Sequence, residues 1–362
     1  MGSLEGRILI VVSFLLFAGL LFVFSASFPL AQRLYGDPFA LLTRQCLGAV
    51  LGLAGLVVLW RVDYHQWERI DDLLLLGAFL LSVLTLFPGV AQEGRWLELG
   101  PVSFQPTELG KLALVLYVSG SLVRRGERIA TFKEGVAPYL AVLSGFALVL
   151  FLQPDFGMFV LYAGLVAFLL WSGGVPLRPL VATAAGLVPG AGLLLLAAPY
   201  RMGRLLAFLD PMAYRDSYGY QIYQSMMAIG AGGIWGRGIG ASRAKLFYLP
   251  AAHNDFAFAV VAEETGLIGG LILIGLLAAL VAMGVRVARQ APDRLGVLYA
   301  LGVSFILGFQ ALLNLGVVVG VLPVTGLTLP FVSYGGSSLA VSLALVGLML
   351  GVARVSAREG HA

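Results

Sequence analysis

The sequence predicts an all-α polytopic membrane protein with ten transmembrane helices, both termini inside, and a large extracytoplasmic loop between helices 7 and 8. Three observations carry that expectation. Hydrophobic residues make up 59% of the 362-residue chain and charged residues 12%, with a mean hydropathy of +0.94. A water-soluble core has no use for that much apolar surface. The apolar residues gather in ten stretches, most near or above the spanning minimum of about 17 residues. Finally, Lys and Arg concentrate on alternate connections between them.

In chain order the stretches are 8–24, 41–60, 73–88, 107–122, 136–152, 156–172, 179–198, 257–283, 296–320 and 337–353. Each is expected to be helical, because a lone helix satisfies its own backbone in lipid. The first follows a single Arg7 with no small-residue cleavage site behind it, and Arg44 and Gln45 soon open the second, so no cleavable signal is expected. With the N-terminus inside, the inner segments carry Arg7, Arg61, Arg69, Arg124, Arg125, Arg128, Lys133, Arg178, Arg286, Arg289, Arg294, Arg354 and Arg358. The short outer loops carry Arg33 and Arg95, with Arg44 at a helix edge. Thirteen basic residues against two or three orient the chain. The other outer positives lie in the segment 199–256, and long segments cross regardless of charge. The formal charge of +4 therefore reflects topology and implies no nucleic-acid partner. Cys46 is the only cysteine, which rules out an internal disulfide. No fixed-period repeat divides the chain, so residues 1–362 read as one membrane domain containing the 199–256 loop.

Almost every unusual polar residue falls on the outer side. Residues 89–106 read as a loop leading into Thr107-Glu108-Leu-Gly-Lys111. Glu108 and Lys111, three apart, share a helix face. Ionisable groups at membrane depth are costly and mark sites. Two readings stay open: a self-neutralising pair that lets the helix insert, or the charged wall of a wet cavity. In Gln153-Pro-Asp155 the proline stops one helix and the aspartate caps the next. Tyr220, Tyr223, Met227 and Ile234 recur at roughly helical spacing, as in an interfacial amphipathic helix or a lid. The glycine run 230–240 lacks G-x-G-x-x-G order and follows no strand pattern. The chain also has no Walker-type lysine loop and no D-x-D pair, so nucleotide binding is rejected.

His253-Asn-Asp255 opens the next span, with Glu263 and Glu264 close behind. A carboxylate at Asp255 gains from the helix dipole, which alone would explain it. The crowding of His253, Asn254, Glu263 and Glu264, with Lys111 in reach from another span, points instead to a site. His253 reads as a structural hydrogen-bonder rather than a metal ligand. The segment Asn314 to Ser338 is non-helical and apolar in its middle, and lipid tolerates such backbone only when it is buried or lines a cavity. Ser333 to Ser338 read equally as an anion cradle at a helix N-terminus and as a capped turn.

Five ordered motifs, Phe104-Gln-Pro-Thr-Glu-Leu-Gly-Lys111, Gln153-Pro-Asp-Phe-Gly157, Gln221…Gln224-Ser225, His253-Asn-Asp-Phe256 and Asn314…Pro323…Phe331-Val-Ser-Tyr-Gly-Gly-Ser-Ser338, resemble the SEDS family (shape, elongation, division and sporulation). Asn254 stands where Thr is more usual, and Thr107 where Ser is common. The segments Ser25–Gln32 and Lys245–Pro250 look like the division branch, the short termini like the elongation branch. The resemblance implies a peptidoglycan glycosyltransferase of the bacterial cytoplasmic membrane, with its active site facing outside and lipid II as substrate.

Such a reaction needs a base to take the acceptor hydroxyl's proton and positive charge to stabilise the departing pyrophosphate. The resemblance assigns the catalytic carboxylate to Asp255. Lys111 would orient it or hold phosphate, while Glu108 would balance charge or hold a divalent cation, Mg or Mn. Arg95, Arg201, Arg204, Arg237, Arg243 and Lys245 are pyrophosphate candidates, and Ser333 and Ser337 belong to the anion cradle. The chain has no soluble domain with a Ser-x-x-Lys nucleophile. The implied partners are therefore a class B penicillin-binding transpeptidase, other elongation or division membrane proteins, and membrane lipids. Two competing readings are a lipid-linked precursor flippase, which needs charges along a path across the membrane, and a non-catalytic scaffold, which needs only surfaces.

Overall fold

A computed structural model describes residues 3–359 apart from 93, 101, 184 and 187–198. It is an all-α, multi-pass membrane protein. Helix α1 (Leu4–Tyr35) starts where the Ser3 hydroxyl accepts from the Gly6 amide and stops at Gly36 in the left-handed conformation. At 32 residues it runs about 48 Å, longer than the roughly 30 Å hydrocarbon core. Then come α2 (Ala40–Arg61), α3 (Asp71–Leu84), α4 (Pro106–Arg125), α5 (Ala137–Leu152) and α6 (Phe156–Ser172). The chain continues through α7 (Pro199–Leu209), α8 (Tyr220–Gly232), α9 (Ala257–Gln290), α10 (Arg294–Val318) and α11 (Gly336–Glu359).

Every expected span except 179–198 coincides with one of these helices. Of that stretch, residues 179–183 continue a helical segment, and most of the remainder lies outside the described residues. Five helices, α1, α2, α9, α10 and α11, are long and apolar enough to cross a membrane by length and composition, and α5 and α6 are shorter apolar helices. The helical spacing at Tyr220, Tyr223 and Met227 falls on α8, which ends at Gly232 before Ile234.

One expectation needs correcting. Residues 89–106 are not a plain loop. They fold into a small antiparallel sheet in the order β1 (Ala91–Gln92), β2 (Trp96–Leu99), β3 (Val102–Phe104), with Leu97 paired to Ala91 on one side and Phe104 on the other. Turns at Gly94 and Gly100, both at positive φ, let the short strands reverse.

Two packing features position the site. The first is α2 against α11, where a side chain at Gly48 would lie 2.5 Å from the Gly336 Cα and one at Gly52 would lie 2.7 Å from the Ala340 Cα. Small residues let helices approach this closely without a hydrophobic drive from water. The second is α4, whose residues from Pro106 to Leu122 are mostly buried, which places it at the centre of the bundle. Pro106 in its first turn starts it without losing a bond, since the first N–H groups have no helical partner. The N-terminal ends of α4, α6 and α9 converge with the 319–335 connection and the β-sheet.

Candidate active site

A cavity of ≈ 260 Å³ lies where those elements meet. Three carboxylates line it, Glu108 from α4, Asp155 from the head of α6 and Asp255 from the turn before α9, together with Arg95 from the sheet region. Gln105, Asn254, Thr328, Tyr334 and Ser338 add neutral polar groups.

Asp255 is held by its backbone. The Asn314 amide donates at 2.7 Å to both the Asp255 and the Leu327 carbonyls, bolting the turn to the α10–α11 connection. The Tyr334 N–H donates to the His253 carbonyl at 2.8 Å. Asp255 itself is half-buried, and a methyl group placed on Gly326 would lie 3.9 Å from its Oδ2. His253 packs its ring 5.6 Å from that of Tyr334. Burial pulls the imidazole down to about 4, so it is neutral at physiological pH.

Glu108 and Lys111 form a buried ion pair on α4, 4% and 0% exposed. Lys111 Nζ also donates to Gln310 Oε1 at 2.9 Å. Gln310 Nε2 then donates to the Thr328 carbonyl at 2.9 Å, and the hydroxyls of Thr328 and Ser338 are 2.9 Å apart. Lys111 thus sits behind Glu108, one step back from the cavity, and ties α4 to α10 and its following connection. Arg95 clamps the α5–α6 turn from inside, its guanidinium donating to the carbonyls of Gln153 and, at 2.9 Å, Pro154. Asp155 caps α6 through Met158 N at 3.1 Å and accepts from Gln105 Nε2 at 3.2 Å, which is the capping role its sequence suits.

The structure therefore brings Asp255, Glu108 and Arg95 to one cavity with Lys111 behind them. The serines are placed differently. Ser333 Oγ accepts from the Leu329 amide at 2.9 Å. Ser337 Oγ accepts from Gln105 N at 3.0 Å and donates to the Ser103 carbonyl at 3.1 Å. Both hydroxyls tie loops together, and Ser338 is the one lining the cavity. The Gly335 amide, part of the expected anion cradle, donates to Gln45 Oε1 at 2.9 Å.

Lys245 and Arg243 lie elsewhere. Lys245 Nζ is buried against Glu264 Oε1 at 2.8 Å, Ser25 Oγ at 2.9 Å and the Gly240 carbonyl at 2.6 Å. The Arg243 amide donates to Glu263 Oε1 at 3.1 Å, and Arg237 pairs with that same oxygen at 3.0 Å. Glu263 and Glu264 thus face the 237–245 loop, about 9 Å along α9 from its first residue, Ala257. The side chains of Arg201 and Arg204 fall outside the described residues. Gln310 and Gln105 are contributors that sequence reasoning missed. The signal for Gln310 was available: it lies four residues before Asn314 and so on the same helix face.

Comparison with known proteins gives consistent matches. The family model for the FtsW, RodA and SpoVE cell cycle proteins matches residues 6–358. A probable peptidoglycan glycosyltransferase FtsW of Geobacter sp. (strain M18) is 39% identical over 338 residues, covering 92% of each chain. The stage V sporulation protein E of Bacillus subtilis (strain 168) is 38% identical over 355 residues, covering 96% of each. Among solved structures, a chain from a peptidoglycan synthase complex studied for the coordination of polymerization and crosslinking superposes with a TM-score of 0.78 at 32% identity, covering 97% of each chain. The rod shape determining protein RodA of Thermus thermophilus superposes at 0.68 with 30% identity and 96% of each covered.

Proposed function

The chain belongs to the FtsW/RodA/SpoVE family, and from that premise we propose how it acts as a peptidoglycan glycosyltransferase. One observation carries the mechanism: Asp255, backbone-fixed and half-buried, shares a cavity with Arg95 and with Glu108 of the buried Glu108–Lys111 pair. The substrate is lipid II. Asp255 takes the proton from the acceptor sugar's hydroxyl as its oxygen attacks the donor's anomeric carbon. The glycosidic bond forms while the bond to the undecaprenyl pyrophosphate breaks, and that group leaves as the anion. It needs no strong acid, only positive charge. Arg95 supplies it at the cavity wall, and Lys111 holds the Glu108 carboxylate so that the site does not repel the phosphates.

A divalent cation of the Mg or Mn type belongs to the proposal as a companion of the substrate. Among the described residues no group of three His, Cys, Asp or Glu side chains is assembled to hold one. Glu108 would contribute one carboxylate and the pyrophosphate the other oxygens, the usual way Mg is bound. The cation would supply charge neutralisation.

The proposed topology is ten spans, both ends inside, with the cavity at the outer face of the bacterial cytoplasmic membrane and the 199–256 loop above it. The proposed partner is a class B penicillin-binding transpeptidase, contacting lipid-facing small residues of the last spans, because this chain polymerises strands it cannot crosslink. Elongation and division assemblies both fit this pairing.

The deciding experiment is polymerisation of lipid II by purified protein, read as glycan strands on a gel. Asp255→Asn keeps the packing and cannot accept the proton, so turnover should fall by about a hundredfold or more while the protein still elutes as a folded species. Near-normal turnover by that variant would sink the assignment.

A further inference from the structure

Away from the active site, a second cavity of ≈ 440 Å³ lies at the ends of α1, α2 and α11, lined by Glu5, Trp60, Arg61, Arg354, Ala357 and Arg358. It stands at the opposite pole of the molecule: α11 starts beside the active-site cavity at Gly336 and reaches Arg358 about 33 Å later. We propose that this cavity binds the phosphate of an anionic phospholipid headgroup.

The charges fit an anion. Three guanidinium groups face one carboxylate, and that carboxylate, Glu5, accepts from the Trp60 indole at 2.9 Å and stands in the first turn of α1, where the helix dipole favours it. Arg354 donates through a single nitrogen to the carbonyls of Arg61 (2.9 Å) and Trp60 (3.4 Å). Arg61 lies 6.0 Å from the Trp60 ring centroid. Among the described residues neither Arg61 nor Arg358 has a carboxylate within 4.0 Å. Asp63, a carboxylate outside the cavity lining, is already bonded to His65 at 2.7 Å.

A cation in the last turn of a helix is favoured by the dipole, and that accounts for one arginine per helix end. It does not account for an open cavity between them. Basic pockets between helix ends recognise lipid headgroups. The surroundings favour a lipid over free phosphate. Trp60 is the residue type of membrane–water interfaces, and the same two helices expose Ile10, Val57 and Val58 within about two turns, leaving an apolar track for acyl chains.

The test uses the full-length protein in detergent, titrated with phosphatidylglycerol and with phosphatidylcholine and read by native mass spectrometry. Arg354 is left intact because it caps α2; Arg61→Gln/Arg358→Gln removes two exposed charges. Wild type should hold phosphatidylglycerol in preference to phosphatidylcholine. The double variant should bind phosphatidylglycerol about 30-fold more weakly, the loss expected for two basic contacts to an anionic lipid. Its melting temperature should be unchanged. Equal retention of the two lipids, or wild-type phosphatidylglycerol affinity in the double variant, overturns the proposal. Displacement of the lipid by millimolar inorganic phosphate does too, since it would mark a free-anion site.

Discussion

Lys111 has no exposed surface and Glu108 almost none, so each charge is tolerable only because the other is there. Removing one partner of such a pair leaves a bare buried charge and typically costs about 3–5 kcal/mol, whereas replacing both can be nearly neutral. Lys111→Met should therefore lower the melting temperature of the purified protein sharply, and Glu108→Gln/Lys111→Met should regain a large part of that loss. Equal melting temperatures for the single and double variants would show that the two charges are not coupled. Asp255 differs in kind. It is half-buried, its backbone carbonyl is held by Asn314, and its side chain lines the cavity. The spacing of Glu108 and Lys111 alone predicted their shared face. Nothing in the spacing predicted the 2.9 Å bond to Gln310, because that partner comes from a helix 199 residues away.

At the scale of elements, the α9 kink is the sharpest feature. Gly266 adopts φ 69, ψ −168 in mid-helix, a conformation close to glycine-only. The preceding loop docks there: Arg237 N donates to the Glu263 carbonyl and Gly238 N to the Glu264 carbonyl, both at 3.0 Å, while Leu267 N donates to the Gly233 carbonyl at 2.9 Å. A side chain at Gly266 would lie 2.3 Å from Gly236 N. Gly266→Ala should cost about 1–3 kcal/mol in backbone strain and push the loop off α9. Trypsin should then cut at the exposed Arg243 markedly faster than in wild type. An unchanged cleavage rate with unchanged melting would mean the loop is held without the kink. The helices themselves were legible because each apolar run is long. The sheet at 91–104 was not, since its strands of two to four residues are too short to show alternation. Glu263 and Glu264 look adjacent to Asp255 in the sequence, but helix rise and rotation carry them to a different wall.

Taken whole, the molecule gathers charged side chains at two poles, one with the Asp255 cavity and the other where Arg124 pairs with the buried Asp71 at 2.8 Å and the exposed His65 bridges Asp63 and Asp293 at 2.7 Å each. The proposed orientation puts the first pole outside and the second inside, and the single cysteine makes this testable. Cys46 lies on α2 and is partly buried, so Cys46→Ser gives a clean background. Asp216→Cys and Glu127→Cys then each place one thiol on an exposed loop position. Residue 216 reports on Asp255 because the longest helix between them, α8, has 13 residues, and about 20 are needed to cross. Residue 127 follows Arg124 and Arg125 at the end of α4, in the most basic of the short connections. A membrane-impermeant maleimide should label Asp216→Cys in intact cells and leave Glu127→Cys untouched until the membrane is permeabilised. The reverse pattern would put the Asp255 cavity in the cytoplasm, where a strand-polymerising enzyme would release its product on the wrong side of the membrane.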